Sequence, residues 1–278
     1  MNILVIGGSG RLGRRMVPSL QLQGHHVVAP GHLALDATDG CGVQEAIRSI
    51  HVGGRPVDLV VCLAACADVV GCDSDPVRAK IGNVATTQTV GEACETLGVP
   101  WVWTSSDYVV AGGPTPAEPA RDVLSFARLR LNRAGVYAET KLAGEDAALG
   151  LGATVARIAF CCPEDADRWT WIDGYNLASR EWVERTAARL TLLAALAAHY
   201  WNAGKVVHVG PVAGIDDGVL GPWRTREQLV RQRFGDDHPS LRHVVRSPAE
   251  RVARGGGNGP GDTRFASCAS ELALPTPE

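Results

Sequence analysis

Asn2-Ile3-Leu4-Val5-Ile6-Gly7-Gly8-Ser9-Gly10-Arg11-Leu12-Gly13 decides how the rest of this chain is read. Ile3, Leu4, Val5 and Ile6 are apolar and mostly β-branched, the composition of a strand buried on both faces. Glycines then recur at 7, 10 and 13, and residues 12–24 carry helical spacing. A strand, a glycine turn and a helix in that order meet the needs of a dinucleotide pyrophosphate. Gly7 permits the tight turn, Gly10 lets the backbone approach the phosphates, and Gly13 lets the helix pack closely. The phosphates sit at the helix N-terminus, where backbone N–H groups and the helix dipole favour anions. In a chain with 32 glycines the spacing alone proves little; the position between strand and helix carries the reading. Arg11 and Leu12, within the turn, are assigned to the cofactor with the glycines.

Outward from that turn, short apolar runs alternate with helical segments. Residues 2–6, 26–29, 57–65, 100–105 and 154–160 read as strands, and 12–24, 43–50, 84–98 and 135–149 as helices. Continuous apolarity suits parallel strands covered on both faces, joined by right-handed crossovers. The expected class is α/β: a Rossmann-type doubly wound parallel sheet with a small C-terminal substrate lobe. Its ligand belongs beyond the carboxyl ends of the strands, at the switch point. Past Cys161 the rhythm breaks into a long helix (182–201), a strand (205–209) and a helix (224–234). The expected division is an NAD(P)-binding core over 1–160, a mainly substrate-side lobe with returning core elements over 161–274, and a tail at 275–278. The loop 112–133 joins the lobe, and the glycine-rich stretch 254–261 reads as a flexible connector. No internal repeat is visible.

The bulk numbers narrow the function. With 278 residues, 45% hydrophobic and 21% charged, the chain can form one large domain carrying a small second lobe. A formal net charge of −3 gives no electrostatic reason to expect nucleic acid. The apolar runs are strand-sized or broken by charge, so no membrane span is expected. The strand at 2–6 leaves no basic n-region or cleavage site before it, and a cytoplasmic location is expected. The eight cysteines include no CxxC pair. They read as structural thiols in a reducing compartment, with no metal. Trp169, Trp171, Trp182, Trp201 and Trp223 concentrate in the second half and suit core packing or a subunit interface. Oligomeric state stays open, a homodimer among the options.

The chemistry comes from Gly135-Val136-Tyr137-Ala138-Glu139-Thr140-Lys141-Leu142-Ala143-Gly144-Glu145. Spacing of i, i+4 puts the Tyr137 phenol and the Lys141 ammonium on one helical face. A nearby cation favours phenolate, so Lys141 is expected to lower the Tyr137 pKa and make it a proton shuttle. Trp103-Thr104-Ser105-Ser106-Asp107-Tyr108-Val109 ends a strand at the crevice, and Ser106 is the hydroxyl chosen to bond a substrate carbonyl beside Tyr137. Asp107 and Tyr108 are placed against the substrate. A glycine turn with a Tyr/Lys pair implies a nicotinamide-dependent oxidoreductase. The second strand ends Val28-Ala29-Pro30-Gly31-His32, without a carboxylate before Asp36. Arg11 and His32 can meet a 2′-phosphate, which favours NADPH over NADH. Asp36 is expected near the adenine, and Ala64 and Ala65 along the cofactor. Asn83 either caps the following helix or holds a relay water at the cofactor. Arg121, Arg128, Arg130 and Arg133 could dock a nucleotide diphosphate or form a solvated basic surface.

On these residues the chain resembles the extended short-chain dehydrogenase/reductase family, in its dTDP-4-dehydrorhamnose reductase branch. The likeness rests on residues 7–13, Leu35-Asp36-Ala37-Thr38-Asp39, Ser105-Ser106-Asp107-Tyr108-Val109 and the Tyr137/Lys141 helix. It covers about residues 1–160 and continues faintly through 206–210 and 259–262. The resemblance implies NADPH or NADH as cofactor and Ser106, Tyr137 and Lys141 as the catalytic triad. The implied substrate is a nucleotide-linked 4-keto-6-deoxy sugar, with Arg157 among its contacts.

Three departures stand against the branch pattern. Val69-Val70 replaces a Val-Asp pair, Arg157 is followed by Ile158-Ala159-Phe160 rather than Thr, Ser and Trp, and Gly259-Pro260 replaces Arg-Pro. The redox residues are kept while the sugar-reading ones are altered. Two other readings follow: a non-catalytic NADP-binding regulatory subunit, or a reductase of a non-sugar ketone in secondary metabolism. Dehydratases of this superfamily carry Asp-Glu after the Ser/Thr, and Asp107-Tyr108 lacks that base.

Overall fold

A computed structural model describes residues 1–51, 54–109, 135–158, 160, 162–174, 182–200, 205–209 and 225–254. The loop 112–133 with its four arginines, Ala159, Cys161, Trp201, Trp223, the stretch 255–262 and the tail lie outside the described residues.

Six parallel strands form the main sheet: β1 (Asn2–Ile6), β2 (His26–Val28), β3 (Leu59–Cys62), β4 (Trp101–Ser106), β5 (Thr154–Ile158) and β7 (Lys205–Val209). Their order is β2-β1-β3-β4-β5-β7, with Ile3 opposite Val27 on one side and Leu59 on the other. Alternation along β1 explains the two-sided burial. Ile3 and Val5 join one cluster with Met16 and Leu20 of α1 (Gly13–Leu22) and Ala187, Leu190 and Ala194 of α7 (Val183–Tyr200). Leu4 and Ile6 join the opposite cluster with Val43 and Ile47 of α2 (Gly40–Ser49), Val90 and Ala93 of α5 (Thr86–Leu97), and Ala148 of α6 (Val136–Gly150). The sheet is doubly wound, as the apolar runs predict.

Some boundaries move for identifiable reasons. The expected strand 57–65 is cut to Leu59–Cys62, because Leu63 N donates the last rung to Ile6 O (2.8 Å) before the chain turns out. The expected helix 84–98 becomes a π turn (Ile81–Ala85) followed by α5, which Gly98 ends at φ 64°. Two short helices, α3 (Val69–Ser74) and α4 (Pro76–Lys80), were not expected from periodicity. Asp75 caps the second by accepting from Arg78 N (3.0 Å), with Pro76 in its first turn.

The later residues divide between core and a separate small cluster. α7 and β7 return to the main sheet, where Val206 sits opposite Val155. Ile172, Trp182, Leu229 and Val230 pack with Trp169, Leu241 and Val244 in their own cluster. It is built from a parallel pair, β6 (Ile172–Asp173) and β8 (Val244–Val245), with α8 (Arg226–Phe234) and α9 (Pro248–Ala253) nearby. Among the described residues, no helix is long and apolar enough to cross a membrane.

One buried ion pair ties sheet to helix. Arg157 Nε donates to Glu145 Oε1 (2.8 Å) and Nη2 to Oε2 (2.5 Å), with both side chains 4% exposed. Removing one member leaves a charge in the core, which costs far more than an exposed pair contributes. Glu145→Ala should therefore lower the unfolding free energy by about 3–5 kcal/mol. A urea melt reads this as a reduced midpoint at unchanged slope, and a loss below ~1 kcal/mol would show that the guanidinium reaches solvent.

Candidate active site

The sheet order reverses direction between β1 and β3: the chain goes outward to β2, then comes back past β1 to β3. A cavity of about 570 Å3 lies at that point, beyond the carboxyl ends of β1, β3, β4 and β5. Gly7, Gly10, Arg11, Leu12 and Gly13 form one wall, and Thr104, Ser105, Ser106, Tyr137 and Lys141 form another.

The glycine turn is shaped for close approach. Gly7 has φ +88°, and a Cβ there would stand 2.7 Å from Ala64 N, so a side chain would push β1 and β3 apart where they flank the crevice. At Gly13 a Cβ would stand 2.4 Å from Gly8 O, and Gly8 is itself pressed against Ala29. Helix α1 therefore starts directly on the turn that leaves β1. No side chain caps its first turn, and that N-terminus lies at the cavity.

The second wall depends on α6. Asp73 of α3 accepts from Val136 N (2.9 Å) and so starts the helix, and Tyr137 follows one residue later. Lys141, one turn on, is 2% exposed; its Nζ donates to Thr104 O (2.7 Å) and lies 3.9 Å above the Trp103 ring. Burial pulls the Lys141 amine down to about 8 from its ordinary 10.5, against the small upward pull of Cys62 and Glu145. Tyr137 moves the other way: burial raises its phenol pKa, a hydrogen bond with Ser106 opposes this, and Asp107 adds to the rise. Ser106 Oγ donates to Asp107 Oδ1 (3.2 Å) and accepts from Tyr108 N (3.3 Å). The Tyr108 ring stands edge-on to Tyr137 at 5.7 Å. The structure thus brings Ser106, Asp107, Tyr108, Tyr137 and Lys141 to one cavity.

Several expectations need correction. The Tyr137 pKa is raised rather than lowered, because burial dominates the phenol, and the Lys141 ammonium is turned to Thr104 O and Trp103. Arg157, expected at the substrate, is instead buried against Glu145 and is not on the cavity wall. Ala156 and Ile158 share one sheet face, so Arg157 points to the other, where Glu145 of α6 takes it. Asn83 neither caps a helix nor lines the cavity. Its Oδ1 accepts from Cys66 N (2.9 Å), and its Nδ2 donates to Cys66 O (3.1 Å) and Thr140 Oγ1 (3.1 Å). It clamps the loop after β3 to α6.

The other cofactor assignments divide. Ala65 lines the cavity, while Ala64 lies behind Gly7. His32 and Asp36 are exposed and off the cavity wall. Hydrogen bonds from the Thr38 N–H and hydroxyl (2.9 and 2.8 Å) hold the Asp36 carboxyl below the usual range. Arg11 lines the cavity and pairs with Asp165 at 3.3 Å.

Sequence reading missed Asp68, Arg226 and Arg251, all on the cavity wall, where Ile158 and Phe160 of the altered substrate-side stretch also lie. The capping box Thr225-x-x-Gln228 marks the start of α8 and was legible. That Arg226 faces the cavity is a tertiary relation with no local signal. Among the described residues, no three His, Cys, Asp or Glu side chains gather as a metal site.

Comparison with known proteins agrees with this geometry. Residues 1–165 match the model of the RmlD substrate binding domain. The chain belongs to that family. Among curated relatives, the dTDP-4-dehydrorhamnose reductase of Streptomyces griseus is 36% identical over 146 residues, 52% of this chain and 44% of its own length. The corresponding enzyme of Escherichia coli K12 is 33% identical over 154 residues, covering 53% and 46%. The chain thus spans about half the length of the curated relatives it matches. Among solved structures, the dTDP-4-dehydrorhamnose reductase of Bacillus anthracis in complex with NADP superposes with TM-score 0.72. It is 17% identical and covers 98% of this chain and 91% of its own, a likeness that bears on fold.

Lysines occur only at 80, 141 and 205, so a single buried ammonium can be followed by NMR. In the cofactor-free protein the Lys141 side-chain resonance should titrate near pH 8, the charged form giving way to the neutral amine as pH rises. Lys141→Met should remove that transition; a midpoint near 10 in the wild type would show that burial does not govern the site.

Proposed function

We propose that this chain is an NADPH-dependent ketoreductase acting on a nucleotide-linked 4-keto-6-deoxy sugar. The observation that carries this is that Ser106, Tyr137 and Lys141 share the wall of one cavity with the glycine turn. Family membership supports the same reading, as do relatives named dTDP-4-dehydrorhamnose reductase.

The residues present fit a dinucleotide. Any side chain at position 7 would fill the space beside Ala64, and the first turn of α1 offers N–H donors to phosphate. Gly7, Gly10, Arg11, Leu12 and Gly13 would hold the pyrophosphate side. The loop after β2 places no carboxylate before Asp36, and Asp36 is engaged by Thr38. Arg11 is 65% exposed and held by one surface ion pair, so little opposes its turning to a 2′-phosphate. NADPH, when bound, supplies the hydride.

The chain's own residues supply the rest. Ser106 turns its hydroxyl from Asp107 to the ketone oxygen and aligns it. Tyr137 gives its proton to that oxygen as it becomes an alkoxide; its raised pKa means the proton is present at neutral pH. Lys141 carries positive charge below pH 8 in a buried setting, where it favours the developing anion. Leu63, Ile158 and Phe160 line the cavity and exclude water. A non-catalytic subunit would have no use for a serine and a buried tyrosine set together with a buried lysine on a cavity wall. The same reading places the enzyme in the cytosol, where NADPH is regenerated.

Tyr137→Phe should keep NADP+ affinity and lose ~100-fold or more of ketone-dependent NADPH oxidation. Full turnover by that variant on dTDP-4-dehydrorhamnose would overturn the assignment.

A further inference from the structure

Cys66 and Cys72 are six residues apart in the chain and meet in space. Cys66 lies in the loop that leaves β3, and Cys72 is on α3. Their sulfurs stand 3.5 Å apart, and the Cys72 thiol also donates to Cys66 O at 3.5 Å. Both cysteines are free. A disulfide holds its sulfurs at about 2.05 Å, so closing this pair takes a local shift of about 1.5 Å.

The two thiols differ in access. Cys66 is half-buried between exposed Ala65 and Ala67. Cys72 is fully buried and packs with Tyr108 and Tyr137. Burial first, and then the Cys66 thiol beside it, push the Cys72 thiol above the ordinary range, with Asp68 and Asp73 adding to the rise. Cys72 therefore keeps its proton while Cys66 meets a reagent first. Once Cys66 is capped its charge is gone, and part of what holds the Cys72 proton goes with it. Cys62 and Cys94, by contrast, are sealed in the core.

The pair sits where the cavity wall is fastened. Asn83 accepts from Cys66 N (2.9 Å), donates to Cys66 O (3.1 Å) and donates to Thr140 of α6 (3.1 Å). Asp73, next to Cys72, accepts from Val136 N (2.9 Å) where α6 starts. Behind the loop, a Cβ at Gly82 would stand 3.0 Å from Cys66 Cβ, so Cys66 has little room to retreat. Ala65, Ala67, Asp68 and Val69 flank the two cysteines and line the cavity. Drawing the sulfurs together reshapes that wall and removes the thiol hydrogen bond to Cys66 O.

The geometry points to a reversible dithiol–disulfide switch at Cys66 and Cys72, closed by small disulfides of the glutathione class, that sets the fit of the cavity for its cofactor. The switch goes beyond the reductase reading and uses none of its catalytic residues. The Cys66 thiolate attacks one sulfur of oxidised glutathione; that S–S bond breaks, and one glutathione leaves as thiolate. Cys72 gives its proton to solvent and attacks the Cys66 sulfur, expelling the second glutathione. Two protein thiols are oxidised and one glutathione disulfide is reduced to two thiols. The leaving thiolates take up the protons that the cysteines release.

The test equilibrates the full chain in glutathione buffers of graded redox ratio, quenches with acid and maps the thiols by mass spectrometry. Cleavage at Asp68 separates Cys66 from Cys72, so two peptides joined only before reduction read the bond. Oxidised glutathione should join them, and dithiothreitol should release them. Cys72→Ser should stop at a glutathione adduct on Cys66, and Cys66→Ser should give neither product. The oxidised wild type should bind NADP+ at least tenfold more weakly than the reduced protein. By reciprocity, saturating NADP+ should raise the midpoint potential of the pair by about 30 mV or more, the equivalent of that factor. NADP+ affinity of Cys66→Ser should not respond to oxidised glutathione. Cys66 is the less buried of the two, so its variant carries the test should Cys72→Ser misfold. Thiols that stay free at every ratio, or a wild type that stops at the adduct, would overturn the switch. So would a disulfide that leaves NADP+ affinity unchanged. A reduced protein that binds no NADP+ would count against the reductase reading, and the mapped peptides would still decide whether the pair closes.

Discussion

Helix α6 can lie against β4 only because position 144 carries no side chain. A Cβ there would stand 2.4 Å from Asn83 O and 2.8 Å from the Trp103 ring, closer than packed atoms approach. That contact sets the depth of the whole helix. With α6 so close, the Lys141 side chain reaches Thr104 O at 2.7 Å and the Trp103 face at 3.9 Å. Tyr137, one turn earlier, comes to Ser106 at the end of the same strand. Thr140 meets Asn83 from the same helix, and Glu145, one residue past the glycine, meets Arg157. The chemistry at one end of α6 and the ion pair at the other are consequences of a single close approach.

How much of this is legible from residues depends on whether the signal is local. The switch-point sheet follows from apolar runs of strand length and from glycines placed between a strand and a helix. Tyr137 and Lys141 share a wall because helical spacing alone puts them on one face. Ser106 could be chosen over Thr104 and Ser105 only by its place at the very end of β4, and all three line the cavity. Arg157 misleads because strand alternation decides its side of the sheet, and no residue next to it announces which side holds Glu145. Asn83 reads as a cap by position but sits in a π turn, with its amide spent on Cys66 and Thr140. That Arg226 and Arg251 line the cavity is invisible to periodicity because it comes from how the later elements seat beside the core.

Burial also explains why the pKa values run opposite to the simplest expectation. A phenol and an ammonium on one face suggest a lowered tyrosine. Here both groups are sequestered, and each shifts toward its neutral form: the phenol up, the amine down to about 8. For a reductase this is the useful direction. In the proposed role Tyr137 holds a proton until an alkoxide begins to form, and a tyrosine already ionised would have none to give. Lys141 remains charged at neutral pH despite the cost of burial, held by a carbonyl and a ring face rather than by a carboxylate partner.

The residues that set this geometry are not those that would read a substrate. Gly144, Asn83, Thr140, Trp103, Glu145 and Arg157 hold α6 in place and none of them lines the cavity, whereas Tyr137 and Lys141 of the same helix do. The arginines that face the cavity from α8 and α9 stand on Trp169 and Tyr108, outside that framework or at its edge. A change at Val69, Val70 or the lobe can therefore alter what is recognised without moving the phenol from its serine. This separation fits the expectation from sequence that the redox residues are kept while the sugar-reading positions diverge.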